Sequence, residues 1–153
     1  MAQYPDISYT HILSELSVNR KDPCEVIREL ISNSYDAKAS RIEIYPLLQY
    51  KGFIYFDNGT GMSETKEING ITPYRAFFSV GKSTKILGDA IGYKCQGSKL
   101  CFASSKFTLI TRCRDEEYWR SVSIDNPKDT LNPQYNIQSQ SDHYPWQTLK
   151  NLF

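Results

Sequence analysis

An apolar strand that stops abruptly at an acidic residue and two glycines is the feature that most constrains this chain. Residues 51–56 have the composition of a strand, and Asp57-Asn58-Gly59-Thr60-Gly61 follows directly. An Asp-Asn-Gly sequence favours a tight turn, and glycines let the backbone approach a neighbouring group closely because no side chain intervenes. Taken alone, the pattern fits an ordinary turn at least as well as a binding site.

A strong helix signal precedes this strand. Asp22 is a good N-cap, Pro23 occupies the first helical position, and Glu25 completes an acidic capping box. An apolar stripe then continues as far as Ala37, which predicts a helix from the cap to that residue. The stripe consists of Val26, Ile27, Leu30, Ile31 and Ser34.

The rest of the chain predicts a mixture of helices and strands. Spaced apolar residues predict a further helix over residues 7–18, Ser63 is a candidate cap for a short helix, and residues 74–78 predict another helical turn. Residues 80–93, rich in Gly, Lys, Ser and Thr, predict a mobile loop. Alternating or apolar runs predict strands at residues 41–45, 51–56, 107–113 and 118–124, the first two joined as a hairpin around residues 46–50.

Composition indicates one packed domain spanning residues 1–153 and excludes several functions. Hydrophobic residues make up 40% of the chain and aromatic residues 13%, while the net charge of +1 indicates neither a nucleic-acid nor a membrane partner. The four cysteines form no Cys-x-x-Cys pair that would indicate zinc. With no signal peptide and no long apolar run, the sequence predicts a reduced, cytoplasmic protein.

Three polar side chains on the predicted helix have a spacing that suits chemistry on a phosphate. Glu29 and Asn33 are four residues apart and therefore share a helix face, and Asp36 follows on nearly the same side. A carboxylate can take a proton from water, and an amide oxygen is a suitable ligand for Mg²⁺. The alternative is a solvated polar face without function.

The strand end at Asp57 suits recognition of a nucleotide base. A carboxylate there can accept a hydrogen bond from an exocyclic amine, which distinguishes adenine from guanine, and Gly59 and Gly61 would let the backbone approach a flat ring. Met62 is either a core residue or a flexible apolar cover for the base.

A third segment has the composition of a phosphate-binding loop. Gly92 and Gly97-Ser98-Lys99 precede an apolar run, and backbone N–H groups at a loop-to-helix junction can bind an anion, to which Lys99 adds charge. The alternative is a flexible turn. Gly81-Lys82-Ser83 resembles the end of a P-loop, but Ala76 stands where that motif requires glycine and no apolar strand precedes it.

The order and spacing of these segments, between residues 23 and 113, resemble the GHKL ATPase superfamily. This group includes DNA gyrase B subunits, ninety-kilodalton heat-shock chaperones, MutL and MORC proteins, and histidine kinases. The resemblance implies an α+β fold, a two-layer α/β sandwich whose mostly antiparallel mixed sheet is covered by helices on one face. ATP, ADP and Mg²⁺ are the implied ligands.

The resemblance also implies roles for individual residues. Glu29 matches the general base that activates the water attacking the terminal phosphate, Asn33 matches the magnesium ligand, and Asp57 matches the adenine-reading acid. Lys82, Ser83 and Lys85 lie in the segment that forms a lid over the phosphates. The other matching positions, which would shape the nucleotide pocket and phosphate loop, are Asp36, Ala37, Gly59, Gly61, Met62, Gly92, Gly97 and Ser98.

A general base at Glu29 makes the chain more similar to the chaperone, MutL and MORC branch than to histidine kinases. That branch implies slow ATP hydrolysis that drives a conformational switch through lid closure and dimerisation. Two departures support an alternative, a non-catalytic nucleotide-binding or protein-interaction module. Cys95 stands where the family has a second glycine, and the family's final strand is missing between residues 146 and 153. A domain without that strand and without a C-terminal transducer domain is therefore expected, and a histidine-kinase-type catalytic domain is a third possibility.

Overall fold

A computed structural model of the chain describes residues 24–79 and 101–127, together with the backbone of residues 139–141. The predicted helix at residues 7–18 and the predicted loop at residues 80–93 lie outside these ranges, as do the cap residues Asp22 and Pro23. In chain order the elements are α1 (Cys24–Asp36), β1 (Ile42–Leu47), a 3₁₀ turn (Leu48–Tyr50), β2 (Gly52–Asp57), α2 (Pro73–Phe78), β3 (Lys106–Thr111), β4 (Trp119–Asp125) and β5 (Ser139–Ser141).

Helix α1 agrees with the strongest helix prediction and ends in a defined C-cap. Lys38 has a φ of 57°, in the left-handed region. The amide of Ala39 donates to the carbonyl of Ser34 at 2.9 Å, and the amide of Lys38 donates to that of Tyr35 at 3.0 Å. These two bonds form a Schellman motif, which stops the helix and turns the chain toward β1.

Strands β1 and β2 form the predicted antiparallel hairpin, in which Ile44 pairs with Tyr55 and Ile42 with Asp57. The first strand is longer than the predicted 41–45, because it continues through Pro46 to Leu47. Proline lacks the N–H that a second neighbouring strand would need, and β2 is the only partner of β1 among the described strands. Pro46 therefore lies on an edge strand, where proline is tolerated.

The second sheet has the order β3-β4-β5 and carries the hydrophobic core on one face. Val122 and Ile124 of β4 are buried with Phe102 and with two aromatic residues of α2, Tyr74 and Phe78. The predicted helical turn at residues 74–78 is therefore present, and its Phe78 ring contacts those of Tyr74 and Phe102. Strand β5 pairs Ser141 with Trp119, although no strand was predicted in this polar part of the sequence.

All pairings between described strands are antiparallel, and the described strands form two sheets of two and three strands. Together with α1 and α2 they give the α+β fold predicted from the sequence. Within the described residues, neither helix is long and apolar enough to cross a membrane.

The short helix predicted after Ser63 is absent, and this prediction was wrong. The Ser63 hydroxyl does accept the amides of Thr65 and Lys66, at 3.2 and 2.9 Å, as a cap would. However, Asn69 and Gly70 both have positive φ, and they close a two-residue turn in which Ile68 and Ile71 exchange backbone hydrogen bonds. This Asn-Gly turn fixes the segment in a non-helical path.

Residues 60–66, here called the linking segment, join the turn after β2 to the second sheet. The Arg114 amide donates to the Thr60 carbonyl at 3.0 Å, and the Met62 amide donates to the Thr111 hydroxyl at 3.2 Å. Gly61 has a φ of 72°, and a Cβ added there would lie 2.0 Å from the Arg112 carbonyl oxygen. Only glycine can therefore occupy this crossing without a shift of the backbone.

A buried carboxylate collects hydrogen bonds from the same segment. Glu116 Oε1 accepts from the hydroxyls of Ser63 and Thr65, at 2.5 and 2.9 Å, and from the amides of Glu64 and Thr65, at 3.1 and 3.3 Å. Its other oxygen binds the Arg120 guanidinium, and both side chains are 7% exposed. Burial by itself raises the pKa of Glu116, but the donors and the charge of Arg120 outweigh it and hold the pKa below its ordinary value.

We predict that Glu116→Gln destabilises the protein by about 3 kcal/mol at neutral pH, because it leaves the Arg120 charge buried and unpaired. A carboxyl with a lowered pKa in the folded state contributes stability above its unfolded pKa and loses it as the pH falls through the folded pKa. The difference between wild type and variant should therefore narrow on acidification from about pH 6 to about pH 3. Urea unfolding at several pH values measures this difference.

Asp115→Asn is the matched control, since Asp115 is exposed and its ion pair with Lys66 is open to solvent. It should stay close to wild type at neutral pH. A constant difference between wild type and Glu116→Gln across the pH range would contradict the prediction.

Candidate functional site

The carboxylate at the end of β2 is held by two donors from different parts of the chain. Asp57 Oδ1 accepts the amide of Gly59 at 2.8 Å, and Oδ2 accepts the hydroxyl of Ser34 at 2.8 Å. One donor belongs to the turn itself and the other to α1. The orientation of the Asp57 side chain is therefore fixed on both sides, and each oxygen retains a lone pair for a further donor.

The Tyr55 hydroxyl lies next to Ser34 and completes a chain of hydrogen bonds with one direction. Ser34 is completely buried and lies 2.9 Å from the Tyr55 hydroxyl oxygen. Since the single Ser34 proton is donated to the carboxylate, Tyr55 must donate to Ser34. Burial raises the pKa of Tyr55, the hydrogen bond to Ser34 lowers it and the charge of Asp57 raises it, with a net increase that keeps the phenol a donor.

The turn after Asp57 lies directly against the end of α1. The Thr60 amide donates to the Ala37 carbonyl at 2.9 Å, and a Cβ added at Gly59 would lie 2.8 Å from the Ala37 Cβ. Asn58 is bound on the other side, where its side-chain oxygen accepts the amides of Ser40 and Arg41 at 2.9 and 2.8 Å. The helix end and the strand end therefore form one rigid unit.

The polar residues predicted on α1 are all present on the helix and half-buried. Glu29, Asn33 and Asp36 have the spacing of one face, and Ala37 follows at the helix end. Mg²⁺ is usually bound through one or two protein oxygens together with phosphate and water oxygens. The Asn33 amide oxygen, one turn from a carboxylate, fits that donor set. Residues 24–79 and 101–127 contain no cluster of three His, Cys, Asp or Glu side chains suited to a metal ion.

The position of Met62 favours the first of its two predicted roles, that of a core residue. Its half-buried side chain packs against the aromatic core cluster. It therefore contributes to the packing beneath the linking segment.

The structure thus places Gly59 against both Asp57 and Ala37, and Gly61 and Met62 against the second sheet. The other predicted phosphate-site and lid residues lie outside the described residues. They are Lys82, Ser83, Lys85, Gly92, Gly97, Ser98 and Lys99, together with Cys95.

Sequence reasoning missed Ser34 and Tyr55. The sequence pattern places Ser34 in the apolar stripe of the helix, and this position is buried, but its hydroxyl binds the carboxylate. The available signals were a serine on an otherwise apolar stripe and the period of two along β2, which places Tyr55 on the same face as Asp57.

We predict that Ser34→Ala lowers the free energy of unfolding by about 1–3 kcal/mol, because it leaves the half-buried Tyr55 hydroxyl without its acceptor and Asp57 with one donor fewer. Ser32→Ala, two residues earlier on the same helix, is the control and should change stability by less than about 0.5 kcal/mol. Urea denaturation measures both. Equal stability of the two variants would show that the Ser34 hydrogen bonds contribute nothing net.

Comparison with known proteins shows the family of this chain. A family model described as histidine kinase-, DNA gyrase B-, and HSP90-like ATPase matches residues 22–151. The chain is also similar to the DNA mismatch repair protein MutL of Aquifex pyrophilus, with 32% identity over 105 residues that cover 67% of this chain and 24% of that protein. It therefore spans about a quarter of the length of this curated relative. Because the family match covers most of the chain, the chain belongs to the family of histidine kinase-, DNA gyrase B- and HSP90-like ATPases, as the motifs predicted.

Proposed function

We propose that this chain binds Mg²⁺–ATP with its adenine at Asp57, hydrolyses it slowly, and uses the cycle as a conformational switch. Membership of the ATPase family supports ATP binding. The adenine position, hydrolysis by this chain and the use of Mg²⁺ are the parts that need experiment. The observation that carries the proposal is the fixed carboxylate of Asp57.

Asp57 is suited to accept an amine. Its two oxygens already accept the Gly59 amide and the Ser34 hydroxyl, so the carboxylate cannot turn away from an incoming ligand. Each oxygen can accept one more hydrogen bond. Adenine presents an amine where guanine presents a carbonyl, and a carboxylate would bind the first and repel the second.

The length of α1 suits the rest of a nucleotide. Ala37 contacts the turn after Asp57, and Glu29 lies eight residues earlier, about 12 Å along the helix axis at 1.5 Å per residue. A triphosphate that extends from a base at Asp57 along α1 would bring its terminal phosphate toward Glu29. Glu29 would then take a proton from the attacking water, while Asp36 and Ala37 would border the base end of the pocket.

Asn33 lies between these ends and would be the protein ligand of Mg²⁺. When bound, Mg²⁺ neutralises phosphate charge and orients the phosphate oxygens. Gly92, Gly97, Ser98 and Lys99 would surround the phosphates with backbone amides and a positive charge.

Lys82, Ser83 and Lys85 would belong to a lid that becomes ordered around bound ATP and is released after hydrolysis. Turnover is expected to be slow, because lid closure and dimerisation would precede each hydrolysis. A second copy of the chain, and domains beyond this one, are the partners that such a switch would use.

We predict that a non-hydrolysable ATP analogue binds the wild-type chain in a Mg²⁺-dependent manner and that Asp57→Asn weakens binding at least about tenfold. Asparagine has one acceptor oxygen, whereas Ser34 and Gly59 are both donors, so its amide nitrogen would face one of them. Titration calorimetry with and without Mg²⁺ measures the effect. Asp125→Asn, in an exposed ion pair on β4, is the matched control and should bind normally.

Binding that is unaffected by Asp57→Asn would place the base elsewhere. If the wild-type chain binds no analogue at all, the chain has the family fold but does not bind ATP, and the proposed function is wrong.

We predict that Glu29→Gln keeps ATP affinity but lowers the hydrolysis rate by about 10²–10⁴-fold, the usual contribution of a general base. Phosphate release at saturating ATP measures the rate. Glu25→Gln, one turn earlier and paired with Arg28, is the control and should keep its activity. Absence of hydrolysis in the wild type, with binding intact, would favour the non-catalytic nucleotide-binding module instead.

A further inference from the structure

The loop that follows Asp57 is supported from two directions. On its first side, Gly59 and Thr60 contact Ala37 at the end of α1. On its second side, Gly61, which is part of the linking segment, lies against the Arg112 carbonyl. The position of the loop therefore depends on whatever fixes the linking segment to the second sheet.

Besides the Arg114–Thr60 and Met62–Thr111 hydrogen bonds, Glu116 is the charged side chain that fixes that junction. One of its oxygens accepts hydrogen bonds from three consecutive residues, Ser63, Glu64 and Thr65, and the other binds Arg120 on β4. Ser63 extends the connection, because its carbonyl accepts the Tyr74 amide of α2 at 3.0 Å. The Glu116 carboxylate thus joins the linking segment to β4, and Ser63, which it binds, is in turn hydrogen-bonded to α2.

This arrangement is not the one that stability alone would favour. A buried ion pair is often no more stabilising than apolar residues of similar volume, because both charges lose their hydration. The Arg120 Nε is also buried without a hydrogen-bond partner, which adds to that cost. The pair instead fixes a backbone position, because the amides of residues 64 and 65 must lie where they can donate to the Glu116 carboxylate.

A comparison within the same junction supports this distinction. Lys66 and Asp115 also join the linking segment to the loop between β3 and β4, at 2.8 Å, but both side chains are about two-thirds exposed. A pair in that position contributes little fixed geometry, because solvent screens it and both side chains remain free to move. The buried contact and the exposed contact therefore offer a direct test of which one sets the position of the loop.

We infer that Glu116 is a positioning residue for base recognition, which fixes Gly59–Met62 in the register that adenine at Asp57 requires. The inference rests on the proposed nucleotide site. In this arrangement Glu116 does not touch the nucleotide. It binds Ser63 and Thr65 and thereby positions Gly61 and Met62, which directly precede Ser63. Its loss would leave the loop held to the second sheet by the Arg114–Thr60 and Met62–Thr111 bonds alone, and so less tightly fixed, while Asp57 keeps its bonds to Ser34 and Gly59.

The test compares the affinities of non-hydrolysable ATP and GTP analogues, with Mg²⁺, for the full 153-residue chain. Glu116→Gln is expected to weaken the ATP analogue about tenfold and to reduce the preference for ATP over GTP by a similar factor. Ser63→Ala should shift both quantities in the same direction. Asp115→Asn, the exposed control, should stay within about twofold of wild type.

A purely structural role would lower stability but leave the base preference of the folded molecules unchanged. Each variant is therefore titrated at a temperature at which circular dichroism shows that it is folded. Should Glu116→Gln fail to fold, Ser63→Ala decides, because it removes a donor without leaving a charge unpaired. Wild-type affinity and base preference in the folded variants would overturn the inference, and so would an equal loss in Asp115→Asn.

The two proposals fail in different ways. If the wild-type chain binds neither analogue, the proposed function fails and the positioning role with it. If the wild type binds the ATP analogue and Asp57→Asn abolishes this, while the Glu116 and Ser63 variants match wild type, only the positioning role fails.

Discussion

The site depends first on a contact without charge, the close approach of the turn after β2 to the end of α1. A methyl group at Gly59 would lie within 3 Å of both the Ala37 Cβ and the Ala37 carbonyl oxygen. Two small residues therefore let the strand end and the helix end meet, and only then can Ser34 reach Asp57. The Schellman turn at Lys38 makes the same meeting possible from the helix side, because it stops α1 before the chain would pass the strand end.

Once these ends meet, the buried Ser34 hydroxyl and its half-buried partners form a chain in which each donor has one acceptor. Tyr55 donates to Ser34, and Ser34 donates to Asp57, which leaves the carboxylate oriented and still able to accept. Buried polar groups are costly when one member lacks a partner, so a network of this kind tolerates change poorly. The same cost makes the network useful for recognition. Rotation of the Asp57 carboxylate would break its hydrogen bonds to Ser34 and Gly59, so a ligand would meet it in a single orientation.

The sequence predicted the parts of this fold that depend on local signals. Helix α1, the β1–β2 hairpin and the turn of α2 follow from caps, periodicity and turn residues, which act over a few positions. The failures arise where distant residues decide. Ser63 has the hydroxyl of a helix cap, yet Glu116, 53 positions later, and the Asn69-Gly70 turn determine its path. Strand β5 has no strand composition and exists through pairing with β4. Ser34 is predicted as buried, but its partners on β2, Tyr55 and Asp57, lie 21 and 23 positions away.

The candidate site therefore lies where two different kinds of support meet. The Asp57 side is fixed by packing of small residues and by short hydrogen bonds to α1, and it moves only if the helix moves. The Gly61 side is fixed to the second sheet by the hydrogen bonds of Thr60 and Met62 and by the buried Glu116–Arg120 pair. That sheet carries the aromatic core on the same face as Arg120. A base bound between these supports would contact α1 and the second sheet together. If ATP binds as proposed, its binding would affect both elements, which is what the proposed conformational switch requires of its binding loop.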